Sequence, residues 1–155
     1  MISRVEMIDL PILYVEKSST PLASRTGRKL ILSVDDEPSV LHTRFVVLST
    51  AGYAVLSTTD GANALQLFAN YPVDLVLLDY VLPEIDGAYI AQAMREYDPR
   101  VPIVMVSAVE IPEEKLAAVN RYLSKGDEPE ALLRTVVELV DASNGPRLRS
   151  SAYMI

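Results

Sequence analysis

The sequence predicts an α/β fold in which five strand–helix units build a doubly wound parallel sheet. Short apolar runs alternate with segments whose apolar residues recur at helical spacing. The runs are apolar at nearly every position, which is typical of strands covered on both faces. Helices on both faces of a parallel sheet satisfy that requirement, with right-handed crossovers between the strands.

The predicted strands are short and lie at regular intervals between the helical patterns. We expect them at residues 30–34, 53–57, 73–78, 102–106 and 121–123. The run at residues 73–78 is apolar except for Asp74, and it predicts the central strand.

The first two helices have clear end signals. Pro38 favours a first helical turn, where its missing N–H costs nothing, and Gly52 favours the end of that helix. Asp60 can cap the second helix, which ends before Pro72.

The last three helical patterns differ in strength. One follows Gly87 and stops near Pro99, and another starts at Pro129 with apolar residues along one face. Residues 112–119 between them predict only a short, weak helix.

Composition separates a central domain at residues 28–142 from its two flanks. Residues 1–27 contain a short apolar stretch and then a linker rich in Ser, Thr and basic residues, whereas residues 143–155 predict a frayed tail. Two interpretations of the first flank stay open. It is either a loosely ordered arm or a docking or dimerisation segment built on Leu10, Ile12, Leu13 and Tyr14.

The overall composition excludes several classes of protein. The 155 residues include no cysteine, which excludes disulfides and thiol catalysis, and the single histidine, His42, excludes a multi-histidine metal site. A net charge of −7 argues against direct nucleic-acid binding. No apolar run is long enough to span a bilayer, so the sequence predicts a cytoplasmic protein without a membrane partner.

Charged residues lie where three of the predicted strands end. Asp35 and Asp36 follow the first strand, Asp79 follows the third, and Lys125 comes just after the fifth. The carboxyl ends of parallel strands share one edge of the sheet, where ligands bind. Close carboxylates repel one another, and a hard cation with oxygen ligands, most simply Mg²⁺, relieves that repulsion. The spacing therefore predicts a magnesium and phosphoryl site.

Ser107 and Lys125 complete the chemistry that an aspartyl-phosphate needs. A carboxylate nucleophile, a metal, a hydroxyl and an ammonium would then converge on one point. Each residue alone has an ordinary explanation: Asp-Asp-Glu before a proline suits helix capping, Ser107 suits a loop, and Lys125 suits the surface. Their joint placement at consecutive strand ends favours the phosphoryl site.

Four segments resemble the receiver domain of two-component response regulators. They are LILSVDDEP at residues 30–38, DYVLPEIDG at 79–87, VSA at 106–108 and YLSK at 122–125. The resemblance runs from about Arg28 to Ala142. It implies a flavodoxin-like (βα)5 sheet with strand order 2-1-3-4-5.

The resemblance also implies roles for the acidic residues. Asp79 would accept a phosphoryl group from a histidine kinase or a histidine phosphotransfer protein. The side chains of Asp36 and Asp79 and the carbonyl of Val81 would bind Mg²⁺, with Asp35 acting largely through water. Such a domain is a signalling module rather than a conventional enzyme, and it catalyses only its own phosphorylation and dephosphorylation.

The remaining roles concern the switch. Ser107 and Lys125 would bind phosphoryl oxygens. Tyr122 would turn inward when Ser107 moves toward the phosphate, unless it is a partly buried core tyrosine. The signalling face would then comprise the segment at residues 112–119, the last strand and the last helix.

Two departures from the family pattern fall on this same face. Gly126 follows Lys125 where the family usually has a proline with a cis peptide bond, and a cis bond is much less favourable before glycine. The stretch from Ser107 to Lys125 is also short by about one helical turn. We therefore expect a trans peptide bond and a different pose of Lys125 in this loop, and a helix before the last strand that is short, displaced or poorly ordered.

Two apolar positions near the predicted site predict slow loss of the phosphoryl group. Val81 lies two residues after the acceptor, and Val109 lies two residues after Ser107. Neither side chain can position an attacking water.

Three hypotheses stay open from the sequence. The first is a stand-alone phosphoacceptor receiver that signals through a downstream protein partner, because the stretch after Ala142 is too short for an output domain. The second is a receiver-like interaction module that works without phosphate. The third is a phosphatase of the haloacid-dehalogenase kind, which would want a second acid where Val81 stands. Dimerisation stays open in all three.

Overall fold

The structure is a computed structural model that describes residues 5–8, 13–16, 27–127 and 129–142. Within them, seven strands form one sheet in the order β1-β2-β4-β3-β5-β6-β7. The strands are β1 (Val5–Ile8), β2 (Leu13–Glu16), β3 (Leu30–Val34), β4 (Ala54–Thr58), β5 (Leu75–Asp79), β6 (Ile103–Ser107) and β7 (Arg121–Ser124). The helices are α1 (Pro38–Thr50), α2 (Gly61–Asn70), α3 (Gly87–Tyr97) and α4 (Glu130–Ala142).

The five strands from β3 to β7 are parallel and confirm the predicted fold class. Their order in the sheet is β4-β3-β5-β6-β7, which is 2-1-3-4-5 when they are numbered from β3. The order reverses beside β3, because β4 lies on one side of it and β5 on the other. Ligand sites in such sheets lie beyond the carboxyl ends of the strands at that reversal.

Four of the five predicted strands differ from the structure by one or two residues at an end, and two of these differences bear on the charged residues. The strand predicted at residues 73–78 is Leu75–Asp79, and the one predicted at 102–106 is Ile103–Ser107. Asp79 still pairs with Val106, so the ladder runs one residue further than the apolar run. Asp79 and Ser107 therefore end their strands rather than follow them, and their backbones are held by the sheet.

The two faces of the sheet carry separate apolar clusters. Alternate strand residues point to opposite faces, so Leu32 and Leu78 join a cluster with α2 and α3, whereas Ile31 and Leu77 join one with α4. All these strand residues are fully buried. This two-sided burial explains why the strand sequences show no polar alternation.

The strands β1 and β2 extend the sheet beyond β4, and the sequence did not predict them. β1 pairs with β2 and β2 pairs with β4, both antiparallel. The backbones of Leu13 and Tyr14 lie opposite Thr58 and Ser57. Leu10 and Ile12 of the proposed docking segment lie outside the described residues, as does the predicted tail at residues 143–155. The role of residues 1–27 in docking or dimerisation stays a prediction.

The helix starts follow the predicted capping chemistry. Pro38 occupies the first turn of α1, and the Asp60 carboxylate accepts from the Ala62 N–H at 3.0 Å. At α3, Gly87 donates its N–H to the Tyr80 carbonyl at 2.9 Å. A Cβ on Gly87 would overlap the backbone of Asp79 and Tyr80, so glycine lets α3 start directly against the end of β5.

The helix predicted at residues 112–119 is short, as expected, but its predicted extent is wrong. The structure has one 3₁₀ turn at Glu113–Leu116. Few residues separate β6 from β7, and a longer helix would leave too little chain to reach the start of β7 at Arg121.

Arg95 of α3 holds this short connection in place. Its guanidinium donates to the carbonyls of Ala118 and Val101, both at 2.8 Å, and to Asn120 Oδ1 at 2.6 Å. Asn120 Oδ1 also accepts from the Ile103 N–H at 2.8 Å. These bonds satisfy backbone groups that a helix would otherwise satisfy internally.

The helices of the described segments are too short or too polar to cross a bilayer.

Candidate functional site

The register of the sheet aligns the charged strand ends. Val34 of β3 lies opposite Leu78 of β5, so Asp35 is level with Asp79. Because adjacent parallel strands end at the same edge, the two carboxylates meet without any long loop to carry them.

The same register places Ser107 and Lys125 at this edge. Asp79 pairs with Val106, and Ser107 pairs with Ser124. Lys125 follows Ser124 in a 3₁₀ turn at Lys125–Asp127. Four predicted site residues on four different strand ends therefore converge.

The three aspartates form a cluster that could bind a metal ion. One carboxylate oxygen each from Asp35, Asp36 and Asp79 lies within 4.8 Å of the others. Asp35 and Asp79 are only 0% and 3% exposed, whereas Asp36 is exposed. Carboxylate oxygens are the ligands that Mg²⁺ and other hard cations prefer, so the donor set fits such an ion.

Lys125 lies between the two buried carboxylates. Its Nζ is 2.9 Å from Asp35 Oδ2 and 3.3 Å from Asp79 Oδ2, and it is 3.9 Å from Glu37 Oε1. Burial opposes the charge of the ammonium, but the carboxylates of Asp35 and Asp79 outweigh it and raise the pKa of Lys125. The lysine is therefore a charged bridge between the ends of β3 and β5.

Asp79 has an unusual protonation equilibrium. Burial and then the negative charge of Asp35 raise its pKa from 3.8 to about 6, although Lys125 and the Val81 N–H act against this shift. The Val81 N–H donates to Asp79 Oδ1 at 3.2 Å. Ionised Asp79 is thus less stable here than in water, and a bound cation would favour its ionised form.

Ser107 is buried in a turn of its own loop rather than directed at Asp79. Its Oγ donates to the Val109 carbonyl at 2.8 Å and accepts from the Val109 N–H at 3.0 Å. The Tyr122 hydroxyl donates to the same Val109 carbonyl at 3.4 Å. Tyr122 is 41% exposed, so it lies at the surface and not in the core.

The two positions predicted to tune dephosphorylation flank the site. Val81 and Val109 are both exposed large apolar side chains. Gly126 follows Lys125 and donates its N–H to Ser124 Oγ at 3.3 Å.

Arg44 is a buried residue of the site that the sequence did not reveal. It is 1% exposed, and its guanidinium lies 3.2 Å from Asp35 Oδ2 and 3.4 Å from Ser33 Oγ. The available signal was its position on α1, three residues after Leu41 and four before Leu48, in the row that faces the core. An arginine in an apolar row requires a buried anion, and Asp35 is that anion.

A doubly wound sheet in this order, with an acidic cluster and a lysine at its carboxyl edge, defines the class of CheY-like receiver proteins. The sequence model of one protein family, the response regulator receiver domain, matches residues 31–137. The chain belongs to the response regulator receiver domain family. Membership places it among the receiver domains of two-component systems rather than among classical enzymes, and it replaces the phosphatase hypothesis.

Curated relatives are about one third identical to the chain over the stretch in which they align. A probable transcriptional regulator, ycf27, from Porphyridium aerugineum is 33% identical over 135 residues, which cover 82% of this chain and 56% of the relative. The transcriptional regulatory protein KdpE of Mycobacterium tuberculosis is 33% identical over 70% of this chain and 50% of its own length. The chain spans about half the length of the curated relatives it matches.

Solved receiver structures match the fold over nearly their whole length. A CheY-like receiver domain protein from Methanospirillum hungatei has a TM-score of 0.71 at 27% identity, over 74% of this chain and 95% of that one. The response regulator TrrA from Thermotoga maritima, solved in complex with Mg²⁺-BeF, has a TM-score of 0.68 at 29% identity, over 72% of this chain and 98% of that one. A complex of the histidine kinase ThkA with TrrA gives a TM-score of 0.67 at 29% identity, over 72% of this chain and 97% of that one.

Proposed function

We propose that this chain is a phosphoacceptor receiver domain in which Asp79 accepts a phosphoryl group from a histidine kinase or a histidine phosphotransfer protein. The observation that carries the proposal is the position of Asp79. It is a buried carboxylate at the end of a central strand, and it contacts a lysine and lies within a cluster of acidic oxygens. The complex of a similar receiver with a histidine kinase supports a partner of this class.

The acidic cluster supports Mg²⁺ as the cofactor. Asp36 and Asp79 would bind it through their side chains and Val81 through its carbonyl, while Asp35 would act largely through water. A similar receiver was solved in complex with Mg²⁺-BeF, which supports this assignment. When bound, Mg²⁺ neutralises negative charge on the transferring phosphoryl group.

The transfer itself needs little more than a positioned carboxylate. An Asp79 oxygen forms a bond to phosphorus while the nitrogen–phosphorus bond of the donor histidine breaks, and the histidine keeps the electron pair and takes up a proton. The Val81 N–H holds Asp79 Oδ1 at 3.2 Å, which leaves Oδ2 facing Lys125 as the attacking atom. Lys125 can follow the negative charge from the carboxylate to the phosphoryl oxygens.

The Ser107 turn supports a switch that follows phosphorylation. Ser107 and Tyr122 both donate to the Val109 carbonyl. If the Ser107 hydroxyl turns to a phosphoryl oxygen, the loop carrying that carbonyl moves and the Tyr122 hydroxyl loses its acceptor. Tyr122 could then turn inward and change the surface that a downstream protein partner binds.

Labelling with a small phosphoryl donor tests the acceptor. We expect wild-type chain incubated with acetyl phosphate and Mg²⁺ to gain one phosphoryl group, measured as an intact mass shift, because the Asp79 carboxylate can attack the donor. The variant Asp79→Asn should gain none, because an amide oxygen is a poor nucleophile. Asp60→Asn is the matched control at the same edge of the sheet, since asparagine caps a helix as well as aspartate does. An unlabelled wild type, or equal labelling of Asp79→Asn, contradicts the proposal.

The second candidate is a receiver-like interaction module that signals without phosphate. Two observations favour it: Gly126 follows Lys125 in place of the family's proline, and only one 3₁₀ turn separates β6 from the approach to β7. Partner binding that is unchanged in Asp79→Asn would support this candidate. A partner that binds only the labelled wild type supports the phosphoacceptor. Dimerisation is tested in the same samples, by measuring the molecular mass of the protein in solution before and after labelling.

A further inference from the structure

Two cations share one oxygen of Asp35. Arg44 Nη2 lies 3.2 Å from Asp35 Oδ2, and Lys125 Nζ lies 2.9 Å from the same atom. The other oxygen, Oδ1, accepts from the Glu37 N–H at 3.0 Å. Asp35 therefore has two positive partners, one of which, Lys125, it shares with Asp79.

The two cations differ in freedom. Arg44 projects from the buried row of α1, is 1% exposed, and also donates to Ser33 Oγ. Lys125 is 19% exposed, belongs to a short turn after β7, and already reaches Asp79. An arginine keeps its charge inside a protein, and its planar guanidinium needs a matched anion nearby. Arg44 is thus fixed to Asp35, whereas Lys125 can leave it.

We propose that Arg44 is a positioning residue: a buried counter-cation that keeps Asp35 neutralised when Lys125 moves to a phosphoryl group on Asp79. Without Arg44, that movement would leave Asp35, which is fully buried, with no cation among the contacts described above, and an uncompensated buried charge is strongly unfavourable. The step that involves the phosphoryl group rests on the proposed function. The effect of Arg44 on the charge of the site does not.

Loss of the Arg44 charge should change the affinity of the site for a cation and for an anion in opposite directions. Removing the Arg44 charge makes the acidic site more negative, which strengthens the binding of a cation and weakens the binding of an anion. A purely structural role for Arg44 would weaken both, because a distorted site loses its geometry for every ligand. The direction of the two shifts therefore separates a charge effect from damage to the fold.

Three variants isolate the charge. Arg44→Met keeps a long side chain and removes the charge, whereas Arg44→Lys keeps the charge. Arg121→Met is the control, because Arg121 lies on β7 and pairs with Glu138 at the surface. This substitution changes the net charge of the protein by the same amount as Arg44→Met. Mg²⁺ affinity is measured by isothermal titration calorimetry. Beryllofluoride, a phosphoryl mimic, is titrated at saturating Mg²⁺ and followed by ¹⁹F NMR.

We expect opposite shifts in Arg44→Met alone. Its Kd for Mg²⁺ should fall about tenfold and its Kd for beryllofluoride should rise about tenfold, whereas Arg44→Lys and Arg121→Met should stay within about twofold of wild type. Weaker binding of both ligands by Arg44→Met, or no change in either, overturns the proposal. A wild type that binds Mg²⁺ but no beryllofluoride overturns the proposed function and with it the phosphoryl step, while the Mg²⁺ shift still decides the charge effect.

Thermal unfolding tests the shared pairing without any ligand. Arg44→Met and Lys125→Met each leave one cation on Asp35, so their double variant should lose more in Tm than the two single losses added together. Adding Asp35→Asn removes the buried charge and should restore most of that excess loss. Additive losses overturn the proposal. If Arg44→Met folds only together with Asp35→Asn, Arg44 is still shown to be the counter-cation of Asp35.

Discussion

At Asp79, burial and charge oppose the ionised state that phosphoryl transfer requires. Its pKa is raised from 3.8 to about 6, first by burial and then by Asp35. An acid whose pKa rises on folding destabilises the fold when it ionises. This penalty is absent below about pH 4 and complete well above about pH 6, so the stability contributed by the neutral form is lost as the pH rises.

Replacing Asp79 should therefore stabilise the metal-free protein in a pH-dependent way. We expect the free energy of unfolding of Asp79→Asn, relative to wild type, to rise by about 2 kcal/mol between about pH 4 and about pH 8. Urea unfolding with a chelator present measures this difference. Asp60→Asn, which keeps its helix cap, is the control for loss of a carboxylate. A difference between Asp79→Asn and wild type that does not vary with pH would show that the site does not penalise the charge.

We predict that two apolar positions, Val81 and Val109, influence how long a phosphoryl group persists on Asp79. Val81 and Val109 are exposed but carry no group that can orient water. Replacing either with Asn or Glu should speed hydrolysis by about tenfold, because a positioned polar group lowers the entropy cost of the attacking water. The decay of the phosphorylated mass after removal of the donor measures the rate. Val46→Asn, on the exposed face of α1, is the control, and unchanged decay in both site variants would count against this role.

Among the elements, the connection between β6 and β7 departs most from the prediction. The sequence predicts a short, weak helix at residues 112–119, and only Glu113–Leu116 form a 3₁₀ turn. The short chain must both cover the sheet and return to β7, and an α-helix would use up that length. Arg95 and Asn120 replace the missing helical hydrogen bonds with contacts between α3 and the loop.

Loss of Arg95 should loosen this connection and the edge strand that follows it. We expect Arg95→Met to lower the free energy of unfolding by about 2–4 kcal/mol, since several carbonyls lose a charged donor. Urea unfolding measures the change, and hydrogen exchange at the Ile103 amide reports whether Asn120 still holds its place. Arg100→Met, at an exposed pair with Asp98, should change stability by less than about 0.5 kcal/mol. Equal stability of Arg95→Met and wild type would mean that the connection between β6 and β7 does not depend on Arg95.

For the whole molecule, the parallel order of the strands places the charged groups together. Five strands end at one edge, and four of the predicted site residues converge there from β3, β5, β6 and β7. An apolar cluster on each face buries these strands, so the core positions Asp79 and Ser107, which end β5 and β6, and Asp35, which follows β3.

Much of this arrangement was predictable because it is local. Continuous apolar runs predicted the parallel strands, and the caps at Pro38 and Asp60 predicted the helix starts. Acidic residues at the ends of those runs predicted the cluster of Asp35, Asp36 and Asp79, which the structure brings within 4.8 Å. A residue at the end of a buried strand has only one edge of the sheet to occupy, so its place follows from the pattern alone.

The sequence by itself determined the fold class, the strand order through the family resemblance, and the acidic edge of the sheet. The tertiary structure decided the rest: that β1 and β2 pair beside β4, that a single turn replaces a predicted helix, and that Arg44 reaches Asp35 through the core. These features depend on contacts between distant segments, which no local periodicity encodes. The role of Arg44, an arginine in an apolar row of α1, can be recognised only when the folded sheet places Asp35 next to it.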